Sequence, residues 1–178
     1  MSSIVISGDT SGAITLAAPS VAGTNTATLP AAAGTVMVSG NMPAFSYYSG
    51  AGTSVSTATW TKILFNTSDF DTTSGMFASS RFTPTIAGYY QISSGVLQGP
   101  FTSNNNAMAI YKNGTAWKNG SGTGVVSGYI FSNVSALVYL NGSTDYVEIY
   151  AYQSSGVSQN TFTGTSNGYF QGCLARTA

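Results

Sequence analysis

From residue 42 onward the sequence is a succession of short runs rich in Val, Ile, Thr, Tyr and Phe, each closed by a turn cluster. This rhythm constrains the fold more than anything else in the chain. Such runs, bounded by Gly, Asn, Ser or Pro, read as strands, and many in succession read as an all-β sandwich. The clearest are residues 60–65, 88–97, 107–112, 133–140, 145–152 and 168–174. Asn113-Gly114 and Asn141-Gly142 read as tight turns, because both residue types tolerate positive φ. No stretch of ten or more residues shows helical periodicity without a glycine or a β-branched run. Residues 42–178 are therefore expected to form an all-β head.

One run also predicts which side chains share a face. In Tyr146-Val147-Glu148-Ile149-Tyr150-Ala151-Tyr152, strict alternation places Val147, Ile149 and Ala151 on one side and Tyr146, Glu148, Tyr150 and Tyr152 on the other. The aliphatic side belongs to a core. Three tyrosines beside a carboxylate suit a partly wet contact, so Tyr146, Glu148, Tyr150 and Tyr152 are the expected subunit interface. The competing reading is a strand buried on both faces within one chain.

Residues 1–41 have another texture. They contain Ala, Gly, Thr, Ser and small aliphatics, and every Phe, Tyr and Trp lies after them. A segment without aromatics buries too little area per residue to sustain its own core. Residues 4–6 and 13–16 nevertheless read as short strands around a Gly8–Gly12 turn, and residues 26–29 and 35–38 as a second pair around Pro30 to Gly34. Such strands need another surface to pair with. The expected division is an attachment arm at 1–41 and a head at 42–178. Ile4, Ile6, Ile14, Leu16, Leu29, Val36 and Val38 are the expected attachment residues.

Charge narrows the partners. Only five acidic and five basic residues occur in 178, or 6 % charged, against roughly 25 % in ordinary domains. Lys62, Arg81, Lys112, Lys118 and Arg176 are scattered along the chain, whereas binding nucleic acid needs clustered cations. A β-rich chain with so little charge lacks a usual defence of its sheet edges, and oligomerisation would supply one. No apolar run approaches the roughly 20 residues that span a bilayer, and the first twenty residues lack the basic start and apolar stretch of a signal peptide. No membrane partner is expected, and the asparagine-x-Ser/Thr triplets are read as turn chemistry. Cys173, the one cysteine, allows no intrachain disulfide; between Phe170 and Leu174 it is expected to be a small buried residue.

Catalysis is poorly served. Without histidine the commonest general base is absent, and no Ser-His-Asp or Cys-His arrangement can be built. Asp69 and Asp71 could share a strand face and coordinate calcium with loop carbonyls, but a turn-stabilising pair is the plainer expectation. No catalytic residue, metal site or cofactor is expected. Tyr111, Trp117 and Asn119 could stack on and hydrogen-bond a sugar.

The order of motifs in the head resembles the trimeric jelly rolls of the tumour necrosis factor and complement globular-head superfamily. Asn66 to Phe70 and Gly75-Met76-Phe77 precede Phe82-Thr83-Pro84-Thr85-Ile86-Ala87-Gly88-Tyr89-Tyr90, which is similar to the superfamily's Phe-x-x-Pro-x-x-Gly-x-Tyr motif. A strand ending Lys112-Asn113-Gly114, the Ser135–Gly142 segment, and a closing Asn167 to Leu174 strand follow in the same order. The turn at Asn141 to Thr144 is longer than the superfamily's usual one. The resemblance spans about residues 43–176 and implies a homotrimer whose flat inner sheets pack around a threefold axis. Residues 8–36 resemble instead a short module common in phage fibre and other virion proteins.

Together these readings predict a homotrimeric bacteriophage virion protein, made in the host cytoplasm and displayed on the particle surface. The preferred role is capsid decoration, with the arm bound to the major capsid protein or another virion protein. A short tail fibre or adhesin whose head binds a host surface glycan is the alternative. The 41-residue arm, without coiled-coil heptads or a repeat array, supplies little stalk and favours decoration.

Overall fold

Asn113 and Gly114 both adopt positive φ, 53° and 78°, and join two long antiparallel strands in a two-residue hairpin. This is the turn chemistry expected of that dipeptide. A computed structural model describes residues 3–21, 23–27, 31, 33–34, 36–73, 75–102, 104–125 and 127–178. The chain divides into two compact units, Met1–Gly34 and Thr35–Ala178, earlier than the compositional change at residue 41. No helix among the described residues is long and apolar enough to cross a membrane.

The first unit is a hairpin of β1 (Ser3–Ser7) and β2 (Ala13–Ala17). Ile4 faces Leu16 and Ile6 faces Ile14 in its register. Gly12, at φ 75°, lets its carbonyl accept a 2.9 Å hydrogen bond from Gly8 N. Of the expected second strand pair, the described residues Thr26, Ala27, Val36, Met37 and Val38 belong to no strand, and Thr28, Leu29 and Thr35 lie outside the described residues. Met37 explains part of this difference, since it packs against the head core and ties its segment there.

The head strands are β3 (Ala44–Tyr48), β4 (Ser54–Val55), β5 (Thr61–Lys62), β6 (Thr67–Asp71), β7 (Phe77–Ala78), β8 (Arg81–Phe82), β9 (Gly88–Phe101), β10 (Asn104–Lys112), β11 (Thr115–Val125), β12 (Gly128–Leu140), β13 (Val147–Gln153), β14 (Gln159–Asn160) and β15 (Gly168–Thr177). Sheet I runs β12-β9-β15-β3-β6; sheet II runs β11-β10-β13-β8-β7, with β5 also paired to β13. The two sheets form an all-β jelly-roll sandwich. Between them lies a continuous apolar core that includes Phe45, Phe65, Phe82, Tyr90, Ile92, Ile110, Ile149 and Phe170. Phe45 meets Phe82 at 4.6 Å and Phe170 at 5.2 Å between ring centroids, the tilted and edge-on contacts that aromatic quadrupoles favour.

Two local devices hold the layers. Phe82 and Tyr90 bracket Pro84 and Gly88, with their rings 5.2 Å apart, and Tyr90 donates a 2.8 Å hydrogen bond to the Ile86 carbonyl. A Cβ at Gly88 would lie 2.6 Å from the Arg176 carbonyl oxygen, so only glycine lets β9 and β15 meet there. At the other edge β11 closes onto β12: a side chain at Gly120 would overlap the Asn133 carbonyl oxygen, and Ser121 Oγ bonds both the N–H and the carbonyl of Asn133.

Candidate interaction surfaces

Each sheet has an outward face, and their chemistries differ. On sheet II, β13 alternates as expected: Val147, Ile149 and Ala151 are buried in the core, and Tyr146, Glu148, Tyr150 and Tyr152 face outward. Yet this face is largely engaged within the chain. Glu148 is 2 % exposed, because Lys62 Nζ at 2.6 Å and Arg81 Nε at 2.8 Å both reach its Oε1. Burial alone would raise its pKa, but the hydrogen bonds from Lys62 and Arg81 outweigh burial and hold the carboxyl below its ordinary value. Tyr150 stacks on Tyr111 at 3.9 Å, Trp60 lies 5.6 Å from Tyr152, and the Arg81 guanidinium sits 3.8 Å over the Tyr146 ring. The carboxylate counted toward an intersubunit contact is thus already neutralised by two cations of its own chain.

The other predicted side chains fall in separate places. Tyr111 joins the sheet II aromatics, Trp117 is 47 % exposed with Lys112 and Lys118 within 6 Å of its ring, and Asn119 is exposed opposite Ala109. They form no single sugar platform. Asp69 accepts from Ser46 Oγ, and Asp71 accepts from Tyr47 OH at 2.6 Å and Thr73 N at 2.7 Å. The described residues include no group of three or more acidic or cysteine side chains placed to hold a metal ion. In the hairpin, Ile4, Ile6, Ile14 and Leu16 are each more than half exposed, as are Val36 and Val38.

Sheet I presents an apolar face that the sequence reading missed. Its register aligns outward rows across the strands: Leu137, Gln91, Cys173 and Ala44 form one, and Ser135, Ser93, Gln171, Ser46 and Phe70 the next. Leu137 is 54 % exposed, Phe70 52 %, and Phe131, Tyr129 and Tyr139 also lie open to solvent. Between these flanks lies a depression of about 270 Å³ lined by Phe70, Gln91, Ser93, Gln171 and Cys173. Gln91 donates to Ser135 Oγ and Gln171 to Ser93 Oγ, so the central polar groups are satisfied within the face. Gly95 has no side chain to lift Phe131, whose ring edge would lie 2.5 Å from a Cβ there, and Phe131 lies beside Tyr169. Cys173, expected in the core, is exposed on this face, since strand parity sends Phe170 and Leu174 inward and residue 173 outward. The signal that could have found the face was the alternation of Tyr129, Phe131, Leu137 and Tyr139 along β12, all opposite in parity to the core residues Val134, Val138 and Leu140.

No protein-family model matches the sequence, and no curated protein matches it. Solved structures share the fold. The globular domain of zebrafish complement 1qA protein aligns with a TM-score of 0.58 at 15 % identity, over 78 % of this chain and 100 % of that one. Eiger TNF from S. frugiperda gives 0.57 at 7 % identity over 77 % and 94 %. Murine APRIL gives 0.56 at 11 % identity over 75 % and 99 %.

Proposed function

We propose that this protein is a homotrimeric, non-enzymatic structural protein of a bacteriophage particle, with three heads joined through the outward face of sheet I and the first unit fastened to a capsid protein or another virion protein. The observation that carries the trimer is the solvent-open face bearing Phe70, Phe131, Leu137 and Tyr139. Exposed apolar side chains on both flanks of a face whose central polar groups are already satisfied suit an interaction site. The fold shared with complement and tumour-necrosis-factor heads supports a threefold arrangement, which the motif resemblance also implies. Sheet II is the weaker choice for the contact, since Glu148 already has its cations within the chain. Decoration in place of a fibre shaft is supported by the first unit, whose described strands form one short hairpin with exposed aliphatic side chains.

Light scattering after size exclusion tests the trimer. The protein should run at three times its chain mass, and Leu137→Glu combined with Phe131→Glu should run as a monomer that keeps its β-sheet circular dichroism. Cys173 gives a second readout: its thiol should react with an aromatic disulfide reagent at least tenfold faster in the double variant than in the trimer. A monomeric parent protein at micromolar concentration, or equal thiol reactivity in both, overturns this assignment.

A further inference from the structure

On sheet II, β5 and β8 pair one after the other along the same edge of β13, so that Lys62 lies opposite Tyr150 and Arg81 opposite Glu148. A depression of about 380 Å³ opens there, lined by Lys62, Met76, Ala78, Ser79, Arg81 and Thr83, a volume within the usual range for small-molecule sites. The two cations of its lining meet one carboxylate, Glu148, behind it, so the cluster carries a net charge of +1. Glu148 is buried and fixes both cations through a single oxygen. Arg81 uses only Nε in this; among the described residues neither Nη nitrogen donates to a protein acceptor, and Lys62 Nζ has no other acceptor. A guanidinium held at Nε and stacked on Tyr146 keeps the paired donors that grip a carboxylate as a fork.

The surroundings say more about the ligand than the charge does. Cross-strand register continues the outward face from Glu148 to Tyr111 and from Lys62 through Tyr150 to Ala109. The small Ala109 leaves room for the stacked pair Tyr111 and Tyr150, and Trp60 extends the row to Tyr152. These rings are only half-buried and lie outside the lining of the depression, beside it across the strands from Lys62 and Glu148. An anchored pair of cations beside an aromatic row matches a ligand with a carboxylate at one end and a C–H-bearing ring at the other. Inorganic phosphate would use the cations and leave the rings idle.

We propose that this depression binds a carboxylate-bearing sugar, a uronic-acid unit of an acidic polysaccharide, with its carboxylate on Arg81 and Lys62 and its ring against the Tyr150 and Tyr111 side. The site lies on sheet II and rests on the reading that the trimer forms through sheet I; a trimeric mass without uronate binding and uronate binding by a monomer tell the two failures apart.

Calorimetric titration of the full chain decides it, with trigalacturonate, its carboxyl-reduced neutral counterpart and inorganic phosphate as probes. Trigalacturonate should bind saturably, and the other two at least tenfold more weakly. Arg81→Gln should weaken trigalacturonate binding at least tenfold with β-sheet circular dichroism and oligomeric mass retained. Should that variant not fold, Arg81→Lys keeps the ion pair but loses the fork and should weaken binding at least threefold. Equal binding of the neutral trisaccharide, phosphate binding as tight as the uronate, or unchanged binding in the folded arginine variants overturns the proposal.

Discussion

Tyr90 shows how far a single residue can set the behaviour of this head. Its side chain is fully buried, its hydroxyl donates to Ile86, and burial pushes its pKa from 10.0 up to about 12. The unfolded chain ionises this phenol first as pH rises, so the stability it contributes is fully present below pH 10 and is lost on the way to about 12. Alkaline unfolding followed by circular dichroism should therefore begin above pH 10, and Tyr90→Phe should move its onset upward; an unmoved onset would refute the linkage. Position-level legibility was uneven. Parity placed Glu148 on the outer side of its strand, but its partners stand 86 and 67 residues earlier, and no local pattern connects them. Cys173 was misread because its apolar neighbours were weighed where strand parity should have been.

Among the elements, the strands with β-branched and aromatic residues were legible, and β11 was not. It carries Gly120, Gly122 and Gly124, which depress strand propensity. The reason for one of them lies in another strand: at Gly120 the backbone of β12 comes too close for any side chain. Gly120→Ala should accordingly destabilise the head by about 1–3 kcal/mol, the usual cost of forcing atoms into a packed contact, read as a lowered urea midpoint with unchanged slope. A stabilising substitution, as expected where glycine is merely flexible, would remove that account. Asn141-Gly142 forms the expected turn, with Gly142 at φ 71°, but it carries the chain from β12 in one sheet to β13 in the other. Asn141 Oδ1 closes it by accepting from the N–H groups of Ser143, Thr144 and Asp145. The β1–β2 hairpin was legible as strands, yet an isolated two-stranded ribbon is marginal in water. Removing residues 1–34 should leave the head's melting temperature within about 2 °C and abolish its co-sedimentation with phage particles. A truncated head that still co-sediments would take the attachment role away from the hairpin.

At the scale of the whole molecule, the scarcity of charge becomes an experimental handle. Ordinary domains respond to acid through many carboxylates at once; here there are five, and three are held below their ordinary pKa. For Asp145 the chief cause is the Asn113 side-chain hydrogen bond, joined by Lys112 at 3.0 Å. For Asp71 and Glu148, burial acts upward, but hydrogen bonds from Thr73 and Tyr47, and from Lys62 and Arg81, prevail. Because these folded-state values are depressed, their contribution is fully present above the unfolded carboxylate pKa of about 4. It falls away as pH drops through the folded values, since the unfolded chain takes up protons first. Full protonation leaves only five cations in 178 residues, too few for self-repulsion to dominate the transition. The melting temperature should thus stay level from pH 7 to about 5 and decline below about 4. Glu148→Gln, which removes one of the three linked groups, should flatten that decline. If calorimetry between pH 2.5 and 7 gave parallel acid limbs for the two proteins, the buried Lys62–Glu148–Arg81 cluster would not be what couples protonation to the stability of sheet II.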